Sequence, residues 1–166
     1  MRYEILGETI KSATSIKIGE IFKIATNQTD NQGNIIYTYP KRYKENITKQ
    51  QYPNFHIIQA GVNITHVGRK RLQLDYTINI QYRVAENTES VTNLQQQLDA
   101  IGLKLCSELT ELDLELPTKT KNRYYEKVDG VCQMFFNITV YATPEETTEI
   151  KMQTLDLNEN LHIKEE

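Results

Sequence analysis

The sequence predicts an α+β fold, a mixed, largely antiparallel β-sheet with helices packed on one face. Three observations carry that prediction. Leu72, Leu74, Tyr76, Ile78, Ile80, Tyr82 and Val84 alternate without a fault against Arg71, Gln73, Asp75, Thr77, Asn79, Gln81 and Arg83. A strand turns this pattern into one apolar and one polar face, whereas a helix would scatter the seven apolar residues around its circumference. Val91, Leu94, Leu98, Ile101, Leu105 and Leu109 form a single helical stripe. Asp129-Gly130, a dipeptide suited to a two-residue hairpin turn, separates Tyr124 to Val128 from Val131 to Thr143.

The elements follow in order. Ile5, Leu6, Thr9, Ile10 and Ala13 predict an N-terminal helix, with a weaker period through Ile16, Gly19, Ile21 and Phe22. Ser12 to Ser15 compete for backbone partners and Gly19 carries extra chain entropy, which weakens the helix and leaves room for a break near Ser15. The polar run Asn27 to Asn34 reads as a turn into a short strand, Ile35 to Tyr39. Pro40 to Pro53 is basic, tyrosine-bearing and without apolar period, hence a long loop and a candidate contact surface. Phe55 to Val62 reads as a buried strand leading to a turn around Thr65 to Lys70. Asn87 or Thr88 is placed to cap the second helix. Leu112 to Leu116 alternates and stops at Pro117, and Thr118 to Asn122 reads as a polar, basic connection. Residues 1–143 are expected to form one domain, and residues 144–166 an acidic C-terminal extension.

Composition narrows the function. Lys+Arg 19 against Asp+Glu 22 leaves a net charge near -3, with no global positive field to hold nucleic acid. No stretch approaches the roughly 20 apolar residues of a membrane span. Cys106 and Cys132 match no metal or redox spacing and read as small core hydrophobes. His56, His66 and His162 fall in a strand, a turn and the C-terminal extension, which suggests no zinc site. No phosphate loop or nucleophile elbow occurs, so no cofactor and no catalytic residue is expected. Asp75 and Asp129 have ordinary explanations on a polar strand face and in a tight turn.

Tyr52-Pro53-Asn54-Phe55-His56-Ile57, the alternating strand from Lys70 to Tyr82 and Val128-Asp129-Gly130-Val131-Cys132-Gln133-Met134-Phe135-Phe136-Asn137 occur in this order. A proline before a buried strand, an arginine-led alternating strand with tyrosines, an intervening helix and a Val-Asp-Gly turn opening an aromatic strand together resemble the phage and prophage tail-terminator proteins. The resemblance covers about Tyr37 to Thr143, with a weaker echo in Met152 to Leu157. It implies six copies in a ring on the last layer of the tail tube, which stops tube growth and offers a surface to the head connector. The implied partners are the chain itself as a homohexamer, the tail tube protein, the head-tail connector protein and, in a contractile tail, the sheath protein. Genomic DNA would only pass through the pore. The implied location is the virion tail, assembled in the host cytoplasm, with no membrane involved.

Candidate interface residues are Lys41, Arg42, Tyr43, Lys44 and Lys49 of the basic loop, Arg69, Lys70 and Arg71 before the alternating strand, and Leu155 and Leu157 of the C-terminal extension. Two other functions compete. A head-completion or head-tail joining protein shares size, class and polar surface. A small enzyme with an unfamiliar site would need converging polar groups in a pocket, and the sequence names none.

Overall fold

The computed structural model describes residues 3–45, 49–68, 71–85 and 90–142. Its elements in chain order are α1 (Tyr3–Ile21), β1 (Ile24–Thr29), β2 (Ile35–Thr38), β3 (Lys41–Tyr43), β4 (Asn54–His66), β5 (Leu72–Arg83), α2 (Val91–Glu108), β6 (Glu111–Leu114), β7 (Leu116–Val128) and β8 (Val131–Ala142). Strands β3 to β8 form a six-stranded sheet in the order β3-β4-β5-β8-β7-β6, and β1 pairs only with β2. All pairings are antiparallel except β3 with β4. The fold is therefore α+β with a mixed, largely antiparallel sheet, as the alternation predicts.

The alternating strand sits at the centre. Leu74, Tyr76, Ile78 and Ile80 of β5 face the core beside Met134, Phe136 and Ile138 of β8. Leu6, Ile10 and Ile18 of α1 and Leu98 and Leu105 of α2 close over the same face. Burying such side chains stabilises by about 1.5–3 kcal/mol each, so this face holds the sheet together. Helix α1 touches both β4 and β6, near opposite ends of the strand order, so the sheet curls around it. At the end of α1, Phe22, Phe55 and Tyr82 pack in sequence as tilted rings with centroids 4.9 Å apart, and Lys104 lies 5.0 Å from the Phe22 ring.

The structure corrects several sequence-based expectations. Helix α1 does not break at Ser15. Thr14 turns its hydroxyl onto the Ile10 carbonyl at 2.7 Å, and the Ser15 carbonyl accepts from Arg42. Polar groups that threatened the helix are thus satisfied without disrupting it. Ile16, expected in the apolar series, is exposed on the outer stripe of α1. The cap of α2 is Ser90, whose hydroxyl accepts from the Asn93 N–H at 3.4 Å; Asn87 and Thr88 lie outside the described residues. Val91, placed in the inward stripe, is 76% exposed because it opens the helix before α2 reaches the sheet.

Three stretches assigned to loop contain strand. Ile24–Thr29 pairs with Ile35–Thr38, so the turn contracts to the residues around Asp30-Asn34. Lys41–Tyr43 adds in parallel to the start of β4. Thr118 to Asn122 belongs to the 13-residue β7, which begins at Leu116 and carries Pro117 as its second residue. Strand β4 also runs beyond Val62 to His66, with a bulge between Gln59 and Gly61. The hairpin at Asp129-Gly130 is as expected, with φ of 50° and 74° at its two turn residues.

The end of α2 is held by β7. Thr120 and Arg123 both donate to the Leu109 carbonyl, at 2.5 and 3.3 Å, so a cation and a hydroxyl satisfy the helix C-terminus. Cys132 is buried and Cys106 packs partly buried against the same core. Burial pushes the Cys132 thiol up to about 11, and that of Cys106 upward as well. Both remain thiols at neutral pH and serve as packing groups, as their spacing suggested.

Candidate functional site: the assembly surfaces

No group of His, Cys, Asp or Glu among the described residues is arranged to hold a metal, and no described helix is long and apolar enough to cross a membrane. What the chain offers instead is surface of three kinds.

The first is the polar face of the sheet. Across β5 and β8, Asn79 donates to Gln133 at 3.1 Å, Thr77 to Asn137 at 3.2 Å and Thr139 to Asp75 at 2.6 Å. Gln73 adds a second donor to Asp75 at 2.8 Å. The Thr139 hydroxyl, then Gln73, hold the Asp75 carboxyl below the usual carboxylate range. These bonds link β5 to β8 side chain by side chain, with Phe135 standing between Gln133 and Asn137 on the same face and the buried Asn79 Oδ1 left without a partner.

At one end this face is covered. Asn54 donates to the Gln51 carbonyl at 2.9 Å, and Arg83 to Gln50 at 3.3 Å, which ties Gln50 and Gln51 to the start of β4 and the end of β5. His56 is buried; burial, then Arg83 and Lys11, press its pKa below 6.5, against the opposing hydrogen bond to the Glu45 carbonyl. A histidine held neutral in the fold binds fewer protons than in the unfolded chain, so its contribution is complete above the unfolded value and is lost as pH falls below it. The melting temperature should accordingly drop as pH falls below about 6.5, and His56→Gln should flatten that part of the profile. An unchanged profile in the variant would remove His56 as its cause.

The second surface is basic and aromatic, at the C-terminal end of α1. The β1–β2 hairpin is exposed along both strands apart from the half-buried Thr26. It carries the exposed Ile24, Ile35, Ile36 and Tyr37. A groove of about 460 Å³ separates its base from the main sheet, lined by Phe22, Ile24, Tyr39, Lys41, Tyr52 and Pro53. Lys23 lies 4.8 Å from the Tyr37 ring. The third surface is the turn joining β6 to β7, where Asp113, Glu115 and Leu116 are exposed.

The basic-loop candidates divide between these surfaces and the framework. Arg42 donates to the Ser15 carbonyl at 2.7 Å and Lys44 to the Ser12 hydroxyl at 3.0 Å, while the Tyr43 hydroxyl accepts from the Gln51 N–H at 3.1 Å. These three residues fasten the loop to α1 and to itself. Lys41 and Lys49 are left exposed. Arg71 lies 4.6 Å from the Tyr141 ring at the other end of the sheet. Arg69, Lys70, Leu155 and Leu157 lie outside the described residues. Sequence reasoning placed a strand at Ile35 to Tyr39 but missed β1, the first strand of the hairpin arm, and the acidic turn. The β-branched run Ile24, Thr26 and Thr29 around the Asp30 turn was the signal available for the first.

The deciding comparison concerns the fold just described: a family model described as "Phage tail terminator protein" matches residues 34–150, from just before β2 to beyond β8. The chain belongs to the phage tail terminator family. No curated protein matches it. Membership makes this terminator a structural component of a phage tail, located in the virion. The matched span contains the Tyr52 to Ile57, Lys70 to Tyr82 and Val128 to Asn137 segments through which the sequence resembled the family. It leaves out α1 and β1.

Proposed function

We propose that six copies of this terminator close into a ring on the end of the tail tube, stop its growth and present their outer side to the head connector. Membership in the terminator family is the observation that carries this reading. A tube elongates because each layer exposes the same docking surface to the next, and a ring with one matching and one different side removes that template. The subunit is suited to such a role, since its helices seal one sheet face and leave a polar face and open strand edges for neighbours. The tail tube protein lies below the ring, the connector protein above it, and in a contractile tail the sheath ends beside it. DNA passes through the pore without being read, in keeping with the net charge near -3. The protein acts by assembly in the host cytoplasm and turns over no substrate.

Phage lacking this chain should produce tails of irregular length that fail to join heads, seen by negative-stain microscopy. Supplying the purified protein to tubes should restore joining. Tails of normal, uniform length in its absence, still attached to heads, would reject the reading.

A further inference from the structure

We infer that the outer edge of β4 is a strand-docking site, and that its occupant is a segment of the same chain, residues 150–157, added antiparallel. The inference stands apart from the ring reading above.

The edge is open over most of its length. Strand β3 pairs with Asn54, Phe55 and His56 alone. From Ile57 to His66, β4 pairs with β5 on one side, and among the described residues no strand pairs with it on the other. A strand with one free side directs every second residue's N–H and C=O outward and is a template for a further strand.

The side chains at this edge are only half covered. Val62 and Ile64 stand opposite Tyr76 and Leu74 of β5, so they share the face on which those two are buried. Helix α1 meets that face at Gln59, whose side chain lies against Gly7, and leaves Val62 43% and Ile64 50% exposed.

The bulge between Gln59 and Gly61 decides which residues share this face. It inserts one residue, so the helix-side series of β4 is Ile57, Gln59, Val62 and Ile64, with steps of two, three and two. Residues 150–157 carry the same spacing. Ile150, Met152, Leu155 and Leu157 are the apolar residues of that stretch, again with steps of two, three and two. Laid antiparallel, Ile150 comes opposite Ile64, Met152 opposite Val62, Leu155 opposite Gln59 and Leu157 opposite Ile57. All four then fall on the helix side, and Lys151, Gln153 and Asp156 on the polar side. Leu155 and Leu157, candidate interface residues by sequence, become part of the sheet.

The chain is placed to make this contact. Ala142, which ends β8, stands opposite Leu72 of β5, and Leu72 stands opposite His66, which ends β4. The two strands thus finish at the same end of the sheet, with β5 between them. The lane outside β4 lies three strand spacings from β8, about 14 Å, and residues 143–149 span about 23 Å when extended. A strand beginning at residue 150 therefore turns back along β4 from the end where Ile64 lies. So short a tether holds the segment at a high effective concentration, which favours it over the same segment of another copy. Once seated, it closes this edge to pairing with other chains.

Two measurements on the full chain test the contact. Oxidation of a variant carrying Val62→Cys and Met152→Cys should form a disulfide within one chain, whereas Val62→Cys with Leu157→Cys should form none. A mixture of isotope-labelled and unlabelled copies, read by mass spectrometry, separates links within a chain from links between chains. Hydrogen exchange at those amides of residues 57–66 that point away from β5 should quicken by at least about tenfold when Ile150→Asp and Met152→Asp are combined, with the amides of β8 unchanged. Outward-pointing amides that exchange equally fast in both chains would overturn the inference, and so would an out-of-register pair that links as readily as the in-register one. Links found only between labelled and unlabelled copies would also overturn it, and would give the edge to a second copy.

Discussion

Shortening Phe136 to alanine will lower the unfolding free energy by about 3–5 kcal/mol, read from denaturant midpoints with the slope checked for two-state behaviour. Phe136 is fully buried in β8, directly across from Ile78 of β5, in the core that α1 and α2 cover. Its removal leaves a cavity at the centre of the sheet, where paired strands on both sides limit collapse. A domain of this size has about 5–15 kcal/mol in total, so the change removes a large share of the stability while leaving a folded state to unfold. The neighbouring Phe135 points to the other face, where it stacks on Tyr124 with centroids 5.1 Å apart. Phe135→Ala should therefore cost clearly less. Equal losses at the two positions would contradict the assignment of faces.

Gly102→Leu is the second large effect. A side chain at Gly102 would run into the ring of Tyr125, which packs across the middle of α2. Tyr125 and Lys127 also bind Asp99 of that helix, at 3.2 and 2.7 Å, so the ring cannot swing aside without giving up this link. Leucine favours helix over glycine by up to about 1 kcal/mol, but forced overpacking costs about 1–3 kcal/mol and sometimes more. The clash should win, with a net loss of about 2 kcal/mol and the α2–β7 pairing loosened in hydrogen exchange. A stabilised variant would show that Tyr125 has room to move.

The parts of the fold that could be read from sequence are those with one wet and one dry side. Leu72 to Arg83 and Val131 to Ala142 bury alternate residues, and α2 buries one stripe, so their periods survive in the amino-acid order. The strands that escaped lack this asymmetry. Ile24–Thr29 is exposed on both sides apart from the half-buried Thr26, and the part of β7 before Tyr124 is mostly exposed, so no face imposed a period on them. Strand β3 is three residues long, too short to show one.

The candidate interface was legible only as chemistry. Lys41, Arg42, Tyr43 and Lys44 were recognisable as a basic, aromatic cluster, but Arg42 and Lys44 find their partners 27 and 32 residues away in α1. Nothing local distinguishes a lysine tied to a distant helix from one facing water. The acidic turn was equally hidden, because Glu111 to Leu116 reads as one alternating strand until Glu115, with φ of 67°, reverses the chain.

The row of amides and hydroxyls on β5 and β8 gives this protein a flank that does not respond to its surroundings. Asn79, Gln133, Thr77 and Asn137 carry no ionisable proton, and the hydrogen bonds from Thr139 and Gln73 hold the Asp75 carboxyl below the usual carboxylate range. Dilution, brine or mild acid would leave its amides and hydroxyls unaltered, whereas any approach of lysine to carboxylate, Lys121 to Asp75 included, loosens as ions accumulate. A virus particle that leaves one cell for an arbitrary medium thereby keeps one side of this subunit constant.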